Sequence, residues 1–286
     1  MNFGLWFKLI YNNSMKSIIK LFLPPIFYKV KKAFLNKNKT IYFSGNFNSW
    51  SEVIEKFPDN YDAPHILENV EKASFKVKSG EAVFERDSKC FYEKSYRYPI
   101  LTNLLSIANF NSGNLNVLDF GGSLGCFYQQ HKDYLKRIKN LKWGIVEQEH
   151  FVKSGRENFQ EDGLRFYSSI KECQVAFDVD VVLFSSVIQY LEFPHEILKD
   201  VFAVCPDFIL FDRTSFIDSE EDRLTVQHVP QAIFAGKTPC WFFSKTKFIE
   251  NMKFAGYHLV EEIDCEEDFN IGEFKGILFS NNALYQ

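Results

Sequence analysis

VLDFGGSLGCFY, residues 117–128, decides the fold. Two apolar residues run into Asp119, then Gly121, Gly122 and Gly125 fall within five positions, and large apolar residues follow. Glycine lets a backbone turn sharply and lets a ligand approach without meeting a Cβ. The apolar run before the turn predicts a buried strand over 115–120, and the stretch after it predicts a helix to about residue 139. The first N–H groups of such a helix have no partner within it and suit an anion. The spacing D-x-G-G-S-x-G departs from G-x-G-x-x-G, so the turn alone is equally a tight strand–helix junction.

Working outward, strand and helix alternate. Strands are predicted over 142–148, 164–169, 178–186, 207–213, 258–263 and 275–280. Helices are predicted over 99–110, 150–160, onward from Pro194, and from Ser244 as an N-cap to Gly256 as a stop. The pattern predicts an α/β, Rossmann-like fold: a seven-stranded, mostly parallel sheet with helices on both faces. Residues 111–286 form that domain, residues 41–110 a mainly helical cap region, and residues 1–40 a basic N-terminal helical arm.

The chain has 286 residues and is 46% hydrophobic, with 32 phenylalanines, enough to bury a sizeable core. Eight lysines and no acidic residue precede Glu52, so the remainder carries a net −12 within a total of −4. An acidic body argues against a nucleic-acid partner, which needs a basic surface to neutralise phosphates. The arm, interrupted by lysines and by Pro24-Pro25, is predicted neither to span a membrane nor to be a signal peptide. Two alternatives stay open for it: packing on its own domain or a partner, which is favoured, and peripheral contact with an anionic membrane face. Six scattered cysteines without C-x-x-C spacing fit a reducing, cytoplasmic setting, and the six histidines have no ligand spacing, so no metal is expected.

The glycine turn has an acidic partner. Glu147 stands at the end of the second predicted strand, 22 residues after Gly125. A carboxylate there can accept hydrogen bonds from both ribose hydroxyls of an adenosine. Either feature alone has an ordinary structural explanation, a tight junction or a solvated carboxylate, but together they favour a nucleotide cofactor.

Asp119, Gly121, Gly125, Glu147 and the later DVVLFSSVIQYLEFP resemble the successive motifs of seven-stranded S-adenosylmethionine-dependent methyltransferases. More narrowly, ERDSKCF, LDFGGSLG, WGIVEQ, SSVIQYLEFP, DRTSF and VQHVP resemble a bacterial methyltransferase family associated with surface-polysaccharide biosynthesis. The resemblance implies S-adenosyl-L-methionine as cofactor, against Asp119, Gly121, Gly122, Ser123 and Gly125, with Glu147 on the ribose. Ser185, Ser186 and Gln189 would then line the pocket near the sulfonium. The broad class often has glycine where Ser123 stands, so the path of the turn is the open point. The implied reaction is O-methylation of a sugar of a surface glycan or its precursor. His228 is the first candidate for general base, Asp212 the second or the residue orienting it, and Arg213 a partner for Asp212 or for an acidic sugar. ERDSKCF is either a substrate-side cap or a solvated helix face. The alternatives are a catalytically silent scaffold in a glycan-assembly complex and an NAD or nucleotide-sugar enzyme.

Overall fold

The computed structural model describes residues 40–58, 64–230 and 236–285. Apart from Thr40, the arm expected over 1–40 lies outside the described residues.

In chain order the elements are β1 (Tyr42–Phe47), α1 (Trp50–Lys56), α2 (Pro64–Lys78), β2 (Phe84–Arg86), β3 (Lys89–Phe91) and α3 (Tyr98–Phe110). Then come β4 (Asn114–Phe120), α4 (Cys126–Leu135), β5 (Asn140–Val146), α5 (Glu149–Ser154), β6 (Leu164–Tyr167), α6 (Ile170–Ala176) and β7 (Val181–Ser185). A short turn of 3-10 helix (Ile188–Tyr190) leads to α7 (Pro194–Val204) and β8 (Phe208–Ile217). The chain finishes with β9 (Arg223–Val229), β10 (Gly236–Ser244), α8 (Lys245–Phe254), β11 (His258–Asp264) and β12 (Glu273–Ser280). Local chemistry sets several boundaries. Pro99 occupies the first turn of α3, and Ser244 caps α8 by accepting from the Lys247 N–H.

The central sheet is mostly parallel. Strands β6, β5, β4, β7 and β8 run side by side in that order, and β12 and then β11 close the far side of β8, each antiparallel to its neighbour. Apolar side chains alternate between its faces. Val181 and Leu183 pack against α3, α4 and α5, whereas Val182 and Phe184 pack against α6, α7 and α8. All seven predicted strands are present, but the sheet has ten. The three additional strands are β1, β9 and β10.

These three correct the sequence expectation. His228 falls between the predicted strand 207–213 and the predicted helix from Ser244, where no strand is expected, and it lies on β9, paired antiparallel with both β1 and β10. Pro230, Gly236 and Pro239 read as loop punctuation, yet Pro239 sits inside β10 opposite Val226. Residues 42–47, expected within a helical cap, supply the edge strand β1. ERDSKCF is a β-hairpin instead of a helix face: Asp87 and Ser88 both take positive φ, 51° and 65°, the geometry that a two-residue turn between twisted strands requires.

The chain reverses direction at β4, with β5 and β6 to one side and β7 and β8 to the other. In open α/β sheets the ligand crevice lies at the carboxyl ends of the strands flanking such a switch point. The glycine turn leaves β4 there, and Ser185 to Gln189 leave β7 beside it.

Candidate functional site

Asp119 is the last buried polar group of β4. The indole N–H of Trp143 on β5 donates to its Oδ2 at 3.0 Å. Burial, the largest influence, pushes the carboxyl up to about 7; the Trp143 bond opposes this and the charge of Glu147 adds to it. The turn fits tightly around this group. A Cβ on Gly122 would lie 2.5 Å from Asp119 Oδ2, and one on Gly121, whose φ is +69°, would lie 2.4 Å from Val187 Cγ2. Glycine is therefore required at both positions by space, and at Gly121 by conformation as well. Ser123 takes φ +55°, in the left-handed region that glycine enters without cost. That explains why a glycine would be at home there.

Glu147 stands just beyond β5 and faces the same turn. Its Oε1 accepts from the Ser123 N–H at 3.2 Å and its Oε2 from the Gln148 N–H at 2.8 Å. Burial raises its pKa, and these two bonds work against the rise. The acid and the glycine turn are thus directly joined, as the sequence spacing suggested.

The β7 side of the crevice holds a second, charged group of residues centred on Asp212, which is fully buried. Its Oδ1 accepts from Arg97 Nε at 2.9 Å, and its Oδ2 accepts from Ser185 Oγ at 3.0 Å and from Arg213 Nε at 3.2 Å. Arg213 Nη2 also donates to Ser185 Oγ. Successive strand residues normally face opposite sides of a sheet, yet Asp212 and Arg213 meet at one site. Opposite Gly276 of β12, the register of β8 shifts, so that two residues stand against one. Arg213 takes φ +51° in this bulge. A bulge re-aims side chains in this way, and bulges are over-represented next to active sites.

Strand β7 stops opposite Asp212, and β10 joins the same edge of β8 only at Phe216 and Ile217. The 3-10 turn sits between them. There the fully buried Gln189 donates through Nε2 to the Arg213 carbonyl at 2.9 Å, while its Oε1 has no protein partner among the described residues. Ser186, at φ +58°, bonds through its N–H to the Asp212 carbonyl.

Residues before the sheet complete the arrangement. Arg97, just ahead of α3, also donates to Cys265 Sγ, and its N–H donates to His131 Nε2 at 2.9 Å. An N–H can only donate, so the His131 proton sits on Nδ1, which bonds the Phe127 carbonyl at 2.8 Å. Burial lowers this imidazole to about 4, and it stays neutral. The hairpin β2–β3 packs on α4. It carries the half-buried Arg86 and the buried Glu85, whose carboxyl is pushed up to about 7, first by burial and then by Asp87.

Of the residues picked from sequence, Asp119, Gly121, Gly122, Ser123 and Glu147 share one side of the crevice, with Gly125 at the start of α4. Ser185, Ser186, Gln189, Asp212 and Arg213 share the other. His228 belongs to neither group. It stacks on Tyr42 with ring centroids 4.3 Å apart and shares a hydrogen bond with Ser44 Oγ at 2.8 Å. Burial and the charge of Lys237 lower its pKa. Asp212 does not orient it, because both Asp212 oxygens are engaged elsewhere.

Sequence reading missed Arg97 and Trp143 and gave His131 no role, and Arg86 entered it only within ERDSKCF. Only Trp143 left a signal: a tryptophan inside a buried strand needs an acceptor for its N–H, and Asp119 is the acid at the neighbouring strand end. Among the described residues no group of three or more His, Cys, Asp or Glu is placed to hold a metal, and no helix is long and apolar enough to cross a membrane. All six cysteines are free thiols.

Asp119 makes a pH prediction. Its ordinary pKa is 3.8 and its folded value about 7, so between these limits the folded chain holds a proton that the unfolded chain has lost. Stability from this group is greatest below the lower value, falls as pH rises toward the upper one, and then stays low. Asp119→Asn keeps an oxygen for Trp143 and removes the titration. Its melting temperature is expected to gain on the wild type's between about pH 4 and about pH 7 and to keep that gain above it. Parallel curves for the two proteins would exclude a buried, proton-binding Asp119.

No protein-family model matches the sequence, and no curated protein matches it. Solved structures with a related chain course include a 1,6-didemethyltoxoflavin-N1-methyltransferase from Burkholderia thailandensis, with S-adenosylhomocysteine bound. It is 14% identical over 77% of this chain and 90% of that one, with a TM-score of 0.41. An S-adenosylmethionine-dependent methyltransferase from Clostridium acetobutylicum is 13% identical over 73% and 97%, with a TM-score of 0.42. The amino pentose methyltransferase CalS10 from Micromonospora echinaspora, with S-adenosylmethionine bound, is 10% identical over 74% and 97%, with a TM-score of 0.44.

Proposed function

We propose that the chain is an S-adenosylmethionine-dependent methyltransferase acting on a sugar hydroxyl of a surface glycan or its precursor. The observation that carries the cofactor part is the pairing, at the switch point of the sheet, of the glycine turn with two strand-end acids, Asp119 and Glu147. The acceptor part rests on the resemblance of the sequence motifs.

The residues present fit the cofactor. Glu147 spends one bond on each oxygen and keeps acceptor capacity for a ribose diol. Gln189 Oε1 is a buried acceptor still without a partner, suited to a cationic or N–H-bearing ligand. The turn closes tightly at Gly121 and Gly122 against Val187 and Asp119, with no room for a side chain at either position. In this assignment Asp119, Gly121, Gly122, Ser123, Gly125 and Glu147 hold the nucleoside and amino-acid portions, and Ser185, Ser186 and Gln189 line the other wall. When bound, S-adenosylmethionine supplies a methyl group activated by its sulfonium.

The remaining task for the protein is to align an acceptor, exclude water and remove a proton. Asp212 serves as a positioning residue, because bonds from Arg97, Arg213 and Ser185 already occupy both of its oxygens. His228, on the β1–β9–β10 branch that joins β8 beyond the end of β7 and outside both groups of crevice residues, is the proposed base; burial and the charge of Lys237 lower its pKa.

Calorimetric titration with S-adenosylmethionine, S-adenosylhomocysteine and NAD tests the proposal. Binding of the two sulfur nucleotides and not of NAD is expected. If neither sulfur nucleotide binds, the methyltransferase reading is wrong.

A further inference from the structure

Two guanidinium groups meet beside β8, and a third lies within reach of their charge. Arg97 and Arg213 both bind Asp212, and each side chain is 16% exposed, so both are reachable from solvent. Each uses two of its nitrogens in the bonds described above and keeps further N–H donors. Arg86 stands on the hairpin that packs on α4, and its charge interacts with those of Arg213 and Asp212. Its guanidinium makes no hydrogen bond or ion pair with any described residue and lies 5.9 Å from the centroid of the Phe84 ring. Burial lowers its pKa, and the like charge of Arg213 lowers it further.

The charges do not cancel. Against three arginines stand the buried Asp212 and the exposed Asp87 at the hairpin tip. Neighbouring Glu85 is only partly ionised near neutral pH, because burial raises its carboxyl to about 7, so it offsets the arginines in part. A half-buried guanidinium left unpaired beside another guanidinium is unfavourable by itself. An oxyanion between them removes the repulsion and matches the forked N–H geometry of arginine.

We propose that Arg86, Arg97 and Arg213 form a recognition site for an oxyanion on the acceptor, a phosphate or a carboxylate carried close to the hydroxyl that reacts. The phosphate would come from a nucleotide- or lipid-linked sugar, and the carboxylate from an acidic sugar. The idea that this anion belongs to the acceptor rests on the methyltransferase reading; the anion site itself does not.

The test titrates the full chain with inorganic pyrophosphate, with glucuronate and with uncharged glucose, each alone and in the presence of S-adenosylhomocysteine. One of the two anions is expected to bind saturably and glucose is not, and which anion binds identifies the source. Arg86→Gln should weaken the anion roughly ten- to a hundredfold and leave S-adenosylhomocysteine binding and the melting temperature near wild type. Arg86 has no described hydrogen-bond partner to orphan, which protects the fold of the variant. Arg86→Lys, with charge but no fork, should recover part of the loss. Binding of neither anion above glucose, or equal binding by Arg86→Gln and wild type, overturns the proposal. A protein that binds S-adenosylhomocysteine but no anion refutes this site and leaves the methyltransferase reading intact; one that binds an anion but neither sulfur nucleotide does the opposite.

Discussion

Glu147→Ala is expected to abolish measurable S-adenosylhomocysteine binding in a chain that still folds. Two hydrogen bonds from a ribose diol to one carboxylate are each worth about 1.5–3 kcal/mol, so their loss weakens binding roughly a hundredfold or more. The substitution also takes the acceptor from the Ser123 N–H, held at φ +55° in the left-handed region. The turn then loses the bond that ties it to the end of β5. Glu147→Gln keeps one oxygen for Ser123 but loses the charge and one acceptor, so its affinity should fall between the two. Calorimetry on the three proteins, with circular dichroism to verify the fold, makes the comparison. If Glu147→Ala binds S-adenosylhomocysteine as wild type does, the ribose assignment is wrong.

Arg97→Ala is expected to have the largest effect on stability. Asp212 has no exposed surface, and Arg97 is one of only two cations bonded to it. Removing one member of a buried pair costs about 3–5 kcal/mol, because the remaining charge is left without compensation. In a chain of this size that corresponds to a fall in melting temperature of roughly 10 °C. The same change releases the Cys265 contact. Arg97→Lys should recover only part of the loss, since an ammonium cannot span Asp212 and Cys265 with a planar fork. The double-mutant cycle with Asp212→Asn isolates the pair: in that background Arg97→Ala should cost much less. A melting temperature within one or two degrees of wild type would mean that the buried charge is compensated another way.

The parallel part of the fold was legible because its strands are short apolar runs separated by amphipathic helices. VVLFS and FILF need both faces covered, and such runs announce themselves. The β1–β9–β10 branch was not, because β9 and β10 carry mixed buried and partly buried residues and are interrupted by Pro230, Gly236 and Pro239. The joining of the glycine turn to Glu147 was equally legible, since a glycine turn and a strand-end acid are local features at a fixed spacing. On the arginine side only residues at predicted strand ends stood out, among them Ser185, Asp212 and Arg213. Arg97, Arg86 and Arg213 are 11 to 127 residues apart in the chain, and only the packing of the hairpin and of α3 against the sheet brings them to one place. The bulge that turns Asp212 and Arg213 to the same side depends on pairing with β12, more than 60 residues later. His228 attracted attention as an isolated histidine in an apparent loop, and pairing with β1 and β10 gave it a different setting.

Strand β1 also imposes a timetable. Ser44 and His228, hydrogen-bonded in the finished molecule, are 184 residues apart. At about 5–20 residues per second of synthesis, β1 waits on the order of ten to forty seconds before its partner strand exists. Over that interval its hydrogen-bonding edge is a template for a wrong strand, in this chain or another. Two features limit the hazard: β1 has only six residues, and its register breaks between Ser44 and Phe47. The parallel strands can assemble sooner, since β4, β5, β6 and β7 follow one another within about 70 residues. The glycine-turn side of the crevice therefore takes shape on the ribosome before the strand that carries His228 has been made.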